Sequence, residues 1–303
     1  MSPIVRNFVL LAFLSVLWGS SFLLFKIAVE SIPPLSVAAG RQIVAVLALV
    51  LVLGRRGGRL PRSASLWYAL FLVAIFGWSL PSFLIAWGEE RIDSSLAAII
   101  VAATPVFTVL MVRAVARDEG LSARGAAGLG LGFAGVILLI GPEAVLGMGE
   151  TLSGQLALAG TAVSYALSNV FARRLDGVAP TVTGTAVMLC SAVALVPLCL
   201  VVDRPWGLAP SAESLAAMVA IGLFSSALGV VVYFRLLAYT GAIFVSLVAY
   251  LVPPVGVALG ATLLGEEIGW IEVAALALIL LGVAGTSRGA RRAPTGGSAG
   301  SQP

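Results

Sequence analysis

Side chains able to do covalent or metal chemistry are scarce in this sequence. No histidine occurs in the 303 residues, which removes the commonest general base and metal ligand. The two cysteines, Cys190 and Cys199, fall on one predicted helix, roughly 13 Å apart at the helical rise and too far for a disulfide. Both read as small apolar fillers. With no cysteine pair and no carboxylate in the middle of an apolar run, nucleophilic and metal-assisted reactions lack their parts. Neither an enzyme nor a bound metal or cofactor is expected.

Two cations stand where charge is costly. Lys26 and Arg41 lie inside apolar runs, where an ionisable side chain faces protein or water rather than lipid. They fall at similar depth on successive helices, as do Glu89 and Glu90 at the end of a third. Three readings are open: snorkelling or a structural ion-pair lock, an outer gate whose pairs break when that side opens, and capture of an anionic substrate group.

Trp18, Ser21 and Phe22, with Phe25 and Lys26, share one helical face. Trp18 lies about 16 Å along its helix, near the bilayer midplane rather than in an interfacial belt. Such a face either packs against another helix or walls a cavity with an aromatic surface and a hydroxyl. Tyr165, Ser168 and Asn169 make the equivalent face of a later helix, and Trp78, Tyr233 and Tyr250 are further cavity candidates. Pro81, Pro105 and Pro253 interrupt apolar runs, each freeing a carbonyl and kinking its helix. Gly128, Gly132 and Gly135 form a small-residue stripe suited to close packing, within the chain or between the two copies of a homodimer.

The elements that must position these residues are set by composition. Sixty per cent of the chain is hydrophobic and 11% charged, against roughly 25% charged in soluble domains. That much apolar surface has lipid as its solvent. The apolar runs are unbroken for about 20 residues, the length of a membrane-crossing helix, and lack the alternation of a barrel strand. Ten spans are predicted, at 7–29, 35–53, 66–88, 95–115, 122–140, 153–173, 181–202, 213–237, 243–264 and 268–286. Turn or charge signals separate them, among them Pro33-Pro34, Gly54–Arg62, Gly141–Glu150 and Tyr239–Gly241. Arg6 followed by Phe8–Leu17 resembles the front of a signal peptide, but no small-residue cleavage site follows and the segment reads as a retained first span. Residues 287–303 have the composition of a disordered tail.

Arginine placement orients the spans. With the N-terminus in the cytoplasm, inside-facing segments hold Arg6, Arg55, Arg56, Arg59, Arg62, Arg113, Arg117, Arg124, Arg173, Arg174, Arg235, Arg288, Arg291 and Arg292, and outside-facing segments only Arg91 and Arg204. Both termini are expected inside. The net charge of +4 is thus topological, and no nucleic-acid partner is implied. The chain also repeats itself at an offset of 147–149 residues: Trp18–Phe22 over Tyr165–Asn169, Ser65-Leu66 over Ser214-Leu215, Pro105 over Pro253, Asp118-Glu119 over Glu266-Glu267, and Gly135-Val136 over Gly282-Val283. Five spans per half is an odd number, so residues 153–286 must cross the membrane inverted relative to residues 7–140. Inverted repeats with a midplane site between them are a recurrent build of secondary transporters.

Trp18-Gly19-Ser20-Ser21-Phe22 followed by Lys26, Pro33-Pro34, Arg41, Pro105, Asp118-Glu119, Pro253-Pro254 and Gly265-Glu266-Glu267 together resemble the EamA family of the drug/metabolite transporter superfamily, in its ten-helix form. The likeness runs over residues 7–286. It implies two EamA units and alternating access around a central cavity, with each half's fifth helix as a buttress. Related small multidrug exporters use a membrane-buried glutamate in their first helix to exchange protons for cationic drugs. The matching helix here has only Glu30, at its end, so neutral, zwitterionic or anionic solutes fit better. The expected protein is a permease of the bacterial inner membrane moving an amino acid or similar metabolite outward, its partners being that solute and the bilayer. A lipid-carrier flippase, a multidrug exporter and a non-transporting membrane sensor are the alternatives.

Overall fold

The computed structural model describes residues 2–55, 58–115, 123–146, 150–172, 175, 177–245 and 247–290. Among these, the regular elements are all helical. In chain order they are α1 (Pro3–Val29), α2 (Pro34–Arg55), α3 (Ala64–Glu89), α4 in two pieces (Ser94–Val101 and Thr104–Val115), α5 (Ala123–Leu146), α6 (Glu150–Ala172), α7 (Pro180–Val202), α8 (212–245), α9 (Val248–Leu264) and α10 (Trp270–Ala290). Starts follow local chemistry. Ser2, Ser63 and Ser211 each accept a hydrogen bond from the backbone N–H three residues on, and Pro180 opens α7 where no N–H is needed.

Helices α1, α2, α3, α7 and α8 are long and apolar enough to cross a membrane. Shorter apolar stretches lie at Ser94–Thr108, Gly125–Leu138, Val248–Leu264 and Trp270–Ala284. Helix α6 is the polar one, because Thr161, Ser164 and Ser168 are buried inside the bundle. Their hydroxyls donate to Ala157 O, Phe76 O and Val73 O respectively, so polarity that would be costly against lipid is satisfied by protein.

The helix ends differ from expectation in two places. Helix α5 continues through Gly141 and Pro142 to Leu146. Helix α8 runs past the turn expected at Tyr239–Gly241 and ends at Val245; Thr240 Oγ1 donates back to Leu236 O at 2.8 Å, absorbing the polar residue into the helix. The prolines also act differently from one another. Pro105 sits just after a break at residues 102–103, whereas Pro253 and Pro254 lie within one continuous helix. Pro81 stands two residues past a π-helical turn, Ile75–Ser79, inside α3. A second π segment, Ile221–Leu228, lies inside α8, about one repeat offset later, and a third, Gly260–Leu264, closes α9.

Helices α5 and α10 form the most extensive pair. A Cβ on Gly282 would come within 2.7 Å of Gly128 O and Gly132 Cα, and one on Gly135 within 2.8 Å of Ala275 O. The glycine stripe therefore lets two backbones touch inside one chain. Helix α2 packs on α7, α1 on α8 and α9, and α6 on α3 and α4. Exchanging each helix for the one five places on maps this contact pattern onto itself. One core cluster gathers Phe22, Phe25, Ile85, Ile100, Leu158 and Ile279, a second Leu49, Leu70, Met188, Val230 and Phe234. Large apolar side chains such as Leu47, Val193, Val201 and Leu281 face outward.

Candidate functional site

The π segments of α3 and α8 carry polar contacts to helices of the opposite half. A π turn carries one extra residue and disturbs the backbone ladder, and such turns recur at functional sites. In α8, Ser225 and Ser226 lie on this segment. Trp18 Nε1 donates to Ser225 O at 3.2 Å, and Ser225 Oγ donates back to Leu17 O at 2.7 Å. A Cβ on Gly229, one turn further, would stand 2.8 Å from Trp18 Nε1, so only glycine leaves the indole its seat. Arg41 Nε donates to Ser226 Oγ at 2.9 Å, and the Arg41 guanidinium carbon stands 5.3 Å from the centre of the Phe25 ring. Tyr165 lies within electrostatic reach of the same guanidinium. The Trp18 and Tyr233 rings are 5.5 Å apart at their centres. One connected group thus runs from Tyr233 through Trp18 and Ser225–Ser226 to Arg41, Phe25 and Tyr165. It draws on α1, α2, α6 and α8.

Arg41 is the unusual member. It is 7% exposed, and among the described residues no carboxylate lies within ion-pair distance of it. A guanidinium presents five donors in a fixed fork, and here the described hydrogen bond uses one, to a neutral hydroxyl. The same fork is the side chain best matched to a carboxylate.

The other candidates fall elsewhere. Ser21 Oγ donates to Trp18 O within its own helix. Phe22 is buried against Gly256 in the core, and Ser168 against Gly77 and Val73 O, so both are packing residues in this conformation. Trp78 stacks at 6.4 Å on Phe234, which in turn meets Tyr233. Tyr250 is half-buried at the edge of the first core cluster. Asn169 is exposed, its amide 3.3 Å from Thr108 Oγ1. Pro253 is buried and Pro105 half-buried.

Lys26, Arg41, Glu89 and Glu90 do not assemble as one ionic lock. Lys26 Nζ donates to two backbone carbonyls, Glu89 O and Ile92 O, at 2.8 Å each; these lie at the C-terminal end of α3, where a helix attracts cations. Glu90 pairs with its neighbour Arg91 at 2.8 Å. The Glu89 side chain is fully buried, and neither carboxyl oxygen has a hydrogen-bond partner. That burial is not legible in the sequence, which places Glu89 only at a helix end.

The end of the bundle that carries Lys26 is tied across the halves. Ser36 Oγ donates to Asp203 Oδ2 at 2.7 Å, Ser211 N to Ser31 Oγ at 2.9 Å and Ser214 Oγ to Ile27 O at 2.8 Å. Glu266 receives the start of α4: Ser94 N and Oγ donate to Oε1 at 2.8 and 2.7 Å, and Ser95 N donates to Oε2 at 2.9 Å, joined there by Ser95 Oγ. Gly265, at φ 68°, makes the left-handed turn that aims Glu266 there. Burial works to raise the Glu266 pKa, and the hydrogen bonds from Ser95 and Ser94 outweigh it, holding the carboxyl below its ordinary 4.5. At the opposite end, a pocket of about 220 Å³ opens between α7 and α8, lined by Pro180, Thr181, Val231, Arg235, Ala238 and Tyr239.

Comparison with known proteins bears on what this arrangement does. A family model described as the EamA-like transporter family matches residues 6–141 and again residues 152–288. The chain is similar to YedA of Escherichia coli strain K12, named an uncharacterized inner membrane transporter, at 29% identity over 278 residues, 89% of this chain and 87% of YedA. It is also similar to a probable terminal-alkyne amino-acid exporter of Streptantibioticus cattleyicolor, at 29% identity over 261 residues and 83% of each chain. A solved crystal structure shares the fold with a TM-score of 0.67 at 23% identity, over 93% of this chain and 97% of the other.

Proposed function

Since the chain belongs to the EamA-like transporter family and is a multi-pass helical membrane transporter, we propose that it moves a carboxylate-bearing, amino-acid-like metabolite across a bacterial inner membrane by alternating access. The observation that carries the substrate class is Arg41: a buried guanidinium with no acidic partner among the described residues, hydrogen-bonded to a neutral serine, beside Phe25 and Tyr165, and joined through Ser225–Ser226 to Trp18 and Tyr233. A substrate carboxylate would take the free donors of the fork, and the aromatic rings would enclose its side chain. The amino-acid exporter among the relatives supports the same class and the outward direction. YedA's name supports the inner membrane.

The ten helical rods are read as ten spans in two inverted halves, residues 7–140 and 153–286, with both termini in the cytoplasm. The self-mapping contact pattern, the matching π segments of α3 and α8 and the double family match support the repeat. The fourteen-to-two arginine asymmetry supports the orientation. On it, the Lys26 end is outer and the Arg235 pocket inner.

Counterflow exchange in proteoliposomes tests the substrate class. The panel contains amino acids, their amides and their decarboxylated amines, with and without a pH gradient. Exchange is expected for members that keep the carboxylate. Exchange of the amines and amides with no exchange of the acids would overturn the assignment.

A further inference from the structure

The sequence offers no carboxylate in the middle of a span, yet the fold creates a buried one at the end of α3. Glu89 is 0% exposed, and both of its carboxyl oxygens lack a partner. Helix α6 closes over this turn through Gly154 and Leu158, which crowd the adjacent Gly88. The charged groups that face Glu89 are Lys26 on α1 and Glu266 in the segment before α10, with Glu90 and Arg91 beside it in the chain. Glu266 is committed to Ser94 and Ser95. Lys26 spends two of its three donors on backbone carbonyls, one of them the carbonyl of Glu89 itself. An ionised carboxylate would compete for that ammonium, because an unpaired buried charge costs far more than an unpaired neutral group. The arrangement suits a carboxyl that carries its proton.

We propose that Glu89 is a proton-binding site linked to the outer gate: its carboxyl takes a proton from water as the outer end closes and returns it to water as that end opens. The proposal rests on the transporter reading and its orientation, and deepens it by naming the ion that biases the conformational step. When the outer end opens, the turn at Gly88–Glu89 separates from α6, and the released carboxylate can be hydrated or paired with Lys26. The closed state then holds one more proton than the open state, so low pH favours closure and high pH favours opening.

Two readouts on the full chain in lipid nanodiscs test this without any substrate. Infrared difference spectroscopy at neutral pH should show the carbonyl stretch of a protonated carboxyl, lost in the isosteric Glu89→Gln variant and kept in Glu266→Gln. Spin labels at Glu30→Cys and Trp206→Cys, with Cys190→Ala and Cys199→Ala, read the distance between the outer loops of the two halves. That distance should lengthen as pH rises from about 5 to about 10, a range that brackets buried glutamates, and Glu89→Gln should hold it short throughout. A band that survives in Glu89→Gln, or a pH response equal in the variant and the parent, overturns the proposal. Success of both readouts with no exchange of any acid in the counterflow panel would overturn the substrate reading alone.

Discussion

Glu266 makes a contact whose worth can be worked out. Replacing it with alanine removes the acceptor of four hydrogen bonds from Ser94 and Ser95. The two hydroxyls can turn to other acceptors, but the two backbone N–H groups at the start of α4 cannot, since Ser94 and Ser95 are 0% and 2% exposed. A buried donor left unpaired costs about 1–3 kcal/mol, partly offset by water entering the vacated space, so Glu266→Ala should lose ~2–4 kcal/mol. In a chain of this size that lowers Tm by roughly 3–6 °C. Glu266→Gln keeps one acceptor oxygen and should lose about half as much. The effect also has a pH signature. The folded carboxyl sits below its ordinary 4.5 because the serine donors outweigh burial. A depressed carboxylate contributes stability that is complete above the unfolded value and vanishes as pH falls through the folded one. The Tm difference between the parent and Glu266→Gln should therefore be constant above about pH 5 and shrink as the pH drops below 4.5. Thermal unfolding in detergent followed by tryptophan fluorescence measures both. An unchanged Tm in Glu266→Ala, or a Tm difference that grows on acidification, would refute the reasoning.

Three further outcomes are expected. For whichever acid the counterflow panel identifies, Arg41→Met should raise KM about 10- to 150-fold, the equivalent of one charge-assisted hydrogen bond of about 1.5–3 kcal/mol, with Arg41→Lys falling between. Gly229→Ala puts a Cβ 2.8 Å from Trp18 Nε1, so it should break the indole bond to Ser225 O at a cost of about 1 kcal/mol and shift tryptophan emission. Gly282→Ala forces a Cβ against the backbone of Gly128 and Gly132; overpacking of about 1–3 kcal/mol should lower Tm, while exchange kinetics of the folded fraction stay unchanged.

Helix positions were legible because hydrophobic length is a local property. The expected span at 66–88 became Ala64–Glu89 and that at 181–202 became Pro180–Val202. Errors came where a local signal competed with packing: Thr240-Gly241 reads as a turn, yet the bundle keeps α8 helical through it. The aromatic face of α1 was found, and so was the cost of Arg41, but not where either side chain is held. Ser225 and Ser226 look like unremarkable small polar residues in an apolar helix. The signal that could have singled them out is the repeat itself, since Ser226 stands 147 positions after Ser79 and each sits in or at the edge of a π segment. Glu89 was read as a helix-end residue because sequence gives depth along a helix, and not the cover that α6 lays over it.

On the proposed repeat, the two matching sites use the same backbone arrangement with different side chains. The π segments of α3 and α8 contact the helix three places away in the repeat order, α8 with α1 and α3 with α6, and both have a carbonyl taken by that partner: Ser225 O by Trp18 and Phe76 O by Ser164. Both also meet the second helix of the opposite half through a serine, Ser226 with Arg41 and Ser79 with Ser191. The backbone task is the same on the two sides, so the same scaffold serves each. The side chains are not the same. One side uses an indole and a guanidinium, the other the hydroxyls of Ser164 and Ser191, with Ser191 joined to Ser79 by one hydrogen bond at 2.7 Å. A hydroxyl pair joined by one hydrogen bond keeps a single O–H donor and carries no charge, whereas a guanidinium bound through Nε retains four donors and its charge. A structural requirement alone would be met by either solution. Among the described residues the costlier one, a buried cation, stands on the α1–α2–α8 side, an asymmetry that would suit the solute proposed above, with one charged end and one apolar end.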